Sequence, residues 1–185
     1  MELKEAIKTR RSIRAYKADN VSDETLKEIF ELVKMSPSWA NTQCWEFVIV
    51  RDKEIKEQLV ETMPEGNPAR KATLDAPVLV VALGIKGKSG FKKGSPMTNK
   101  EGTWYMFDVG IAMQTFSLVV HGFGLGSVIL GLFDSAKAGE ILKLPDNIEV
   151  VAMAPVGYPA KESKCPPRKP VEEFVFKNIY GEKYF

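Results

Sequence analysis

The chain alternates between segments with apolar residues at helical spacing and short runs that are apolar at nearly every position. After Ser22, a good helix N-cap, apolar residues recur at i, i+3, i+4 and i+7, which predicts a helix that ends before Pro37. Residues 103–122 are apolar nearly all round, which predicts a central helix enclosed by other structure. Three further helices are predicted, at residues 2–9 and after the caps Asp52 and Asp134.

Four runs rich in apolar residues predict strands, at residues 47–50, 77–83, 127–130 and 149–156. The run at 77–83 has no polar side chain, as expected for a strand buried on both faces. Helices and strands interleave without strict βαβ alternation, so we expect the α+β class, with a mixed central β-sheet flanked by helices. A length of 185 residues fits one domain spanning residues 1–185.

Two segments depart from this pattern. Residues 84–102 hold five glycines, five lysines and one proline, and a loop of this length inside a compact domain is usually a lid or locally disordered. The tail at 160–185 is rich in proline and charge but also carries aromatic residues such as Phe174 and Tyr180. We expect this extension to dock on a partner subunit rather than to remain free.

The composition excludes a disordered chain, with 44% hydrophobic and 27% charged residues. No signal-peptide core follows Met1. The longest apolar stretch contains Asp108, which would cost about 2.5–3.5 kcal/mol within a bilayer. Cys44 and Cys165 lie far apart and outside any CxxC pair. We therefore expect a soluble cytoplasmic protein that binds neither membrane nor metal.

The formal net charge of +2 is unevenly distributed. Basic residues cluster at 4–17, at 86–100 and at 168–169. Separate basic islands suit a small phosphorylated ligand at least as well as a nucleic acid. A basic nucleic-acid-binding module therefore remains an alternative at this point.

Residues 10–14 read Arg-Arg-Ser-Ile-Arg and directly follow the first predicted helix. If this segment is extended, Arg10, Ser12 and Arg14 lie on one side, where two guanidinium groups and a hydroxyl could hold a phosphate. The alternative is a solvated basic helix end, which the helix dipole favours. Residue chemistry alone favours this second interpretation.

Residues 36–45 place small hydroxyls, amides and two indoles before a strand. Asn and Ser side chains suit a polyol, and Trp39 offers a flat apolar surface. The alternative is a loop that is only anchored by a buried Trp45, a burial that we expect in either case.

Two glycine-containing motifs suggest nucleotide binding. Residues 122–127 lack the GxGxxG spacing and follow a helix, so we reject a dinucleotide site. Residues 82–89 fit a relaxed Walker A pattern, but the residues that follow disfavour the helix that a P-loop requires. A P-loop-like nucleotide-binding protein is kept as an alternative. His121, the one histidine, is expected to cap a helix end rather than to serve a catalytic triad.

Taken together, the motifs resemble the nitroreductase family of FMN enzymes in their order and spacing. The resemblance spans residues 2 to about 176 and rests on the segments 10–14, 36–47, 124–131, 153–159 and 167–173. It implies a nitroreductase-like fold and a domain-swapped homodimer with two FMN sites at the interface.

The resemblance also implies roles for particular residues. Those implied to hold the FMN phosphate are Arg10, Ser12 and Arg168, with Arg11 beside them. Those implied to reach the flavin from the other subunit are Pro37, Ser38, Trp39 and Asn41. Arg14 would lie near N1 and O2 of the isoalloxazine ring, and backbone amides around Leu130 and Gly131 would face N5 and O4.

The implied activity is reduction of nitroaromatics, quinones or other electron-poor acceptors by NADH or NADPH through FMN, in a ping-pong order. The hydride chemistry belongs to the cofactor, so we assign no catalytic side chain beyond Arg14 as an electrostatic tuner. Two positions depart from the family pattern. Cys44 replaces a proline, and Pro166 stands where a lysine is common, a loss for which Lys164 or Lys169 could compensate.

Overall fold

The computed structural model describes residues 1–100 and 102–185. The helices in this part are α1 Leu3–Thr9, α2 Asp23–Val33, α3 Lys53–Glu61, α4 Ala69–Asp75, α5 Trp104–Gly122 and α6 Ser135–Ile141. The strands are β1 Trp45–Val50, β2 Val78–Ile85, β3 Phe91–Lys92, β4 Ser95–Pro96, β5 Gly126–Ser127 and β6 Ile148–Gly157. Single 3₁₀ turns occur at Trp39–Asn41 and Val171–Glu173. Within the described residues, no helix combines the length and apolarity needed to span a bilayer.

The main sheet has four strands in the order β1-β2-β6-β5, with antiparallel neighbours. Ser12 adds a parallel bridge to Ser127 at the β5 edge, and this bridge makes the sheet mixed. The predicted α+β class with a mixed central sheet is thus confirmed. The second sheet is the small hairpin β3-β4.

Side chains of β2 enter the core on both faces of the sheet, as the sequence predicts. Val78 and Val80 pack in a cluster with Phe116 of the central helix α5. Leu79 and Val81 face the other way, into a second cluster that includes residues of α3 and α6. The predicted helix caps are also confirmed, since the side chains of Ser22, Asp52 and Asp134 each accept a backbone N–H of the first turn.

Three local predictions need correction. The strand predicted at 127–130 is only Gly126–Ser127, followed by an isolated bridge from Leu130 to Met153. Helix α4 was not predicted, because its buried face consists of Ala69, Ala72 and Thr73 and has no apolar periodicity.

The segment at 84–102, predicted to be a loop, contains the hairpin β3-β4. Its two-residue connection fits a primed turn, since both Lys93 and Gly94 have positive φ, 51° and 79°. Position 101 lies outside the described residues. The role of this segment as a lid stays a prediction.

The C-terminal extension begins close to the body of its own chain. The Ala160 amide donates to the Ala15 carbonyl over 2.9 Å. Further along, Phe174, Tyr180 and Phe185 are 57%, 90% and 67% exposed. Exposed aromatic side chains in one segment are typical of an interaction surface, so docking of this extension on a partner remains our expectation.

Candidate functional site

The Arg-Arg-Ser-Ile-Arg segment runs extended along the edge of the main sheet. The Ile13 amide donates to the Ser127 carbonyl over 3.0 Å, and the Ile13 side chain is buried. Because side chains alternate along an extended backbone, Arg10, Ser12 and Arg14 lie on the side opposite Ile13. Arg10 and Ser12 are half-buried and Arg14 is exposed. The sheet edge therefore fixes the register that a phosphate clamp would require.

Close approach of this segment to β5 depends on Gly126. A β-carbon at this position would lie 2.5 Å from Cγ1 and 2.8 Å from Cβ of Ile13. Both distances are too short for any contact between carbon atoms. The neighbour that Gly126 approaches so closely is the Arg10–Arg14 segment.

Arg11 occupies the position between Arg10 and Ser12, and its side chain turns back toward α1. Its guanidinium donates to the carbonyls of Lys8 and Arg10, both over 2.7 Å, at the C-terminal end of α1. Cations at this end of a helix are stabilised by the helix dipole and the free carbonyls. The helix-end interpretation therefore describes Arg11, while its role beside a phosphate remains a prediction.

Arg11 also lines a cavity of about 690 Å³ between the first residues of the sheet edge and the start of the C-terminal extension. The other lining residues are Thr9, Ile13, Lys17, His121, Leu125, Pro159, Ala160, Lys161, Glu162, Ser163 and Cys165. Arg10, Ser12 and Arg14 are not among its lining residues.

His121 lies in the wall of this cavity. It was predicted to cap the end of its own helix, and that prediction is wrong. Its Nε2 is 2.8 Å from the Thr9 hydroxyl of α1. Burial, reinforced by the nearby charges of Arg10 and Arg11, lowers the pKa of His121. The contact joins the ends of α1 and α5, which lie 112 positions apart in sequence. Nothing in the local sequence pattern indicates it.

The loop at 36–45 is held in a strained backbone conformation. Ala40, Asn41 and Gln43 have φ values of 43°, 54° and 47°, in the left-handed region that non-glycine residues rarely adopt. Ser38 Oγ accepts the Gln43 amide over 2.9 Å and holds the turn from within. Such strain concentrates at functional sites.

The predicted ligand residues of this loop are accessible. Pro37 and Asn41 are exposed, and Ser38 and Trp39 are half-buried. The Trp39 ring meets the edge of Trp104 at 5.6 Å between centroids. Trp45 is buried, as expected from the sequence.

Asp108 connects this loop to the segment at 84–102. Its buried Oδ2 accepts hydrogen bonds from the Ser89 hydroxyl at 2.6 Å and the Trp39 amide at 3.1 Å. The Cys44 thiol donates to the same oxygen over 3.5 Å. Burial and the neighbouring Asp108 carboxylate raise the pKa of Cys44 to about 11.

The Walker-like segment does not form a P-loop. Lys88 is exposed, and Ser89 is fully buried with its hydroxyl bonded to Asp108. The hairpin β3-β4 follows where a P-loop requires a helix N-terminus. In the described part of the chain, moreover, no group of three or more His, Cys, Asp or Glu residues could hold a metal ion.

Leu130 and Gly131 follow β5 at the same edge of the sheet. The Leu130 amide and carbonyl both bond to Met153, over 2.8 and 3.0 Å. Gly131 is exposed. The backbone at Gly131 is thus rigidly placed by Leu130 and open to a ligand.

Arg168 lies in the exposed extension. The Ser163 hydroxyl donates to the Ser12 carbonyl over 3.4 Å, which brings the start of the extension to the predicted clamp. The Arg168 guanidinium itself donates to the carbonyls of Pro166 and Pro167, over 3.1 and 3.2 Å. Arg10, Ser12 and Arg14 occupy alternate positions of one extended segment, whereas the Arg168 guanidinium bonds within its own segment. Their convergence on one phosphate stays a prediction.

This donor set fits a flavin mononucleotide better than it fits a metal or a nucleic acid. Guanidinium groups and a hydroxyl suit a phosphate monoester, and the accessible Trp39, Ser38 and Asn41 suit a flat ring with a polyol chain. The cavity of one chain does not enclose these groups.

Comparisons with known proteins agree with these features. The sequence model of the nitroreductase family matches residues 7–158. An NADH dehydrogenase of Thermus thermophilus is 29% identical over 199 residues, covering 95% of each chain. An FMN reductase [NAD(P)H] of Bacillus subtilis is 28% identical over 190 residues, covering 97% of this chain and 74% of the relative. A crystal structure of a nitroreductase family protein from Clostridium novyi has a TM-score of 0.77 at 28% identity, covering 100% of this chain and 97% of the other.

Proposed function

The chain belongs to the nitroreductase family, and we propose that it is an FMN-dependent NAD(P)H oxidoreductase that reduces nitroaromatics, quinones or other electron-poor acceptors. When bound, FMN supplies the hydride chemistry, taking a hydride from NADH or NADPH and passing it to the acceptor in a ping-pong order. The relative named FMN reductase supports the choice of cofactor. The family match favours neither the P-loop alternative nor the nucleic-acid-binding alternative.

The observation that carries the proposal is the fixed register of residues 10–14. The Ile13–Ser127 hydrogen bond and the contact with Gly126 hold the segment extended. Arg10 and Ser12 then face the same side and hold the phosphate. Arg168 completes the clamp after the extension moves from its present contacts with Pro166 and Pro167, with Arg11, Lys164 or Lys169 contributing charge nearby.

Arg14 acts as an electrostatic tuner. It lies on the same side as Arg10 and Ser12, two positions beyond Ser12 and therefore about 6.5–7 Å along the strand. In bound FMN, the Arg14 cation would stabilise the negative charge that develops at the N1 and O2 edge of the ring. The exposed Gly131 amide would donate to N5 or O4.

A second copy of the chain completes the site. Leu3 and Ile7 on α1 and Phe107 on α5 are 66%, 56% and 59% exposed, so both helices carry exposed apolar side chains. The exposed aromatic residues of 160–185 provide an arm for exchange between subunits. In the resulting homodimer, Pro37, Ser38, Trp39 and Asn41 of one subunit contact the flavin of the other. Light scattering should give a mass near twice that of one chain, and removal of residues 160–185 should lower it.

Both cysteines are free thiols, which supports the expected reducing, cytoplasmic compartment.

Lys88, Lys92 and Lys93 are exposed on the hairpin segment at 84–102, which we propose is the substrate lid. These cations favour anionic substrates that approach the ring.

Stopped-flow kinetics test the proposed reaction. The protein is mixed without oxygen with NADH or with NADPH, and flavin absorbance is followed before and after an acceptor such as a quinone or nitroaromatic is added. Bleaching by at least one donor, and recovery with the acceptor after the donor has been consumed, are expected. If neither NADH nor NADPH bleaches the flavin-loaded protein, the proposed activity is refuted.

A further inference from the structure

Donors from two separate loops converge on one buried carboxylate oxygen. The Ser89 hydroxyl comes from the base of the hairpin segment, and the Trp39 amide comes from the strained loop that contacts the flavin in our proposal. We infer that Asp108 is a positioning residue that couples the hairpin to this loop and thereby fixes Trp39. The effect of this coupling on substrate binding rests on the proposed function, whereas the coupling between the two segments does not.

The geometry at Asp108 is that of a hydrogen-bond acceptor, since its Oδ2 accepts from all three partners. No ion pair involves Asp108 in the described part of the chain. A buried carboxyl group without an ion-pair partner depends on its hydrogen bonds, so these contacts hold both loops.

A second, apolar contact joins the same two loops. The Trp39 ring meets Trp104, and a β-carbon on Gly90 would lie 3.1 Å from Trp104 Cβ. Gly90 directly follows Ser89 and has a φ of 79°. The base of the hairpin is thus linked to Trp39 by two indirect contacts, one through Trp104 and one through Asp108. A movement of the hairpin should therefore displace Trp39.

The coupling acts on the substrate side of the ring rather than on the phosphate. The segment that carries Arg10 and Ser12 is bonded to the sheet edge at Ser127, whereas the hydrogen bonds of Asp108 go to other residues. Weakening the Asp108 contacts should therefore leave FMN affinity nearly unchanged. It should weaken binding of the acceptor, because the position of the Trp39 ring becomes less restricted.

Ser89→Ala removes one donor without touching the other loop. Ser95→Ala, at an exposed position in the same hairpin, is the matched control. Hydrogen exchange of the purified protein is measured by mass spectrometry in peptides covering 36–45 and 84–97. We expect Ser89→Ala to speed exchange in both peptides by at least about threefold, and Ser95→Ala to leave 36–45 unchanged.

Faster exchange confined to 84–97 would overturn the coupling, and this result can be read whether or not the protein binds FMN. In the flavin-loaded enzyme, Ser89→Ala should raise the acceptor KM severalfold with an FMN Kd within about twofold of the parent. An unchanged acceptor KM would overturn the role of Asp108 toward substrates. Asp108→Asn keeps the shape but replaces one acceptor oxygen by an amide donor, and it should reproduce both effects if it folds. If it does not fold, the result for Ser89→Ala is decisive.

Discussion

Gly126 and Ile13 are in such close contact that a β-carbon on Gly126 would stand 2.5 Å from Ile13 Cγ1. This contact joins the Gly-rich turn after α5 to the segment that carries Arg10, Ser12 and Arg14. The same β-carbon would lie only 2.8 Å from Cβ of Ile13. Because rotation of the Ile13 side chain does not move its Cβ, such a rotation cannot relieve the clash. A residue without a side chain is therefore a condition for the proposed phosphate clamp.

Gly126→Ala should displace the segment at 10–14 and weaken FMN binding by at least about tenfold, with a loss of about 1–3 kcal/mol in unfolding free energy from overpacking. Fluorescence titration with FMN and urea unfolding measure the two effects. Gly122→Ala is the control, because nothing lies within 4 Å of a β-carbon there. FMN affinity equal to that of the parent in Gly126→Ala would contradict the importance of this register.

Arg10→Ala and Arg168→Ala should mainly loosen FMN, because each removes a guanidinium from the phosphate. The expected loss is about tenfold or more in FMN Kd for each, in line with a charge-assisted hydrogen bond of about 1.5–3 kcal/mol. Titrations with FMN and with riboflavin, which lacks the phosphate, separate this effect from contacts to the ring. Full retention of FMN affinity in both variants would refute the clamp.

Arg14→Ala should act on the ring instead. Loss of the cation should lower the midpoint potential of the bound flavin and slow its reduction by NAD(P)H more than it weakens FMN binding. Arg14→Lys keeps the charge and should recover most of the potential. A potential and a reduction rate that do not change in Arg14→Ala would remove its role as a tuner.

The two cysteines should differ sharply in reactivity. Cys165 is exposed, whereas burial and Asp108 raise the pKa of Cys44 to about 11. At about pH 8 only about one in a thousand Cys44 side chains is a thiolate, the form that reacts. A disulfide reagent should titrate one thiol per chain in the native protein and two after denaturation. Loss of the fast thiol in Cys165→Ser confirms the assignment, and rapid labelling of Cys44 would contradict the structure around Asp108.

His121 should make the protein less stable in mild acid. Its pKa is lowered in the folded protein, so the unfolded chain takes up the proton first as the pH falls below the ordinary value of 6.5. The contribution of this histidine to stability is therefore complete above that pH and is lost as the pH falls. In His121→Gln, urea unfolding should show a smaller decrease between about pH 7 and pH 5 than in the parent. Equal decreases would mean that His121 is not responsible.

The sequence predicted the long, strongly patterned elements well. Helices α2 and α5 and strand β2 have continuous apolar patterns, and each pattern indicates one type of secondary structure. Helix α4 and the hairpin β3-β4 could not be predicted in this manner. The former has no apolar stripe, and the latter depends on a two-residue turn of Lys93 and Gly94 within a polar segment.

The candidate site was predictable only where its residues are neighbours. Arg10, Ser12 and Arg14 share a face because of their spacing. The partners of Asp108 come from positions 69 and 19 residues away, and Thr9 lies 112 residues from His121. Asp108 accepts from a backbone donor, the Trp39 amide, and from two side chains that no local pattern indicates.

The visible absorption spectrum of the purified protein, before and after titration with FMN, tests the central claim most directly. The account predicts a yellow protein, or one that takes up FMN to one equivalent per chain, with flavin fluorescence that changes on binding. A folded protein that carries no flavin and takes up none when FMN is supplied would contradict it.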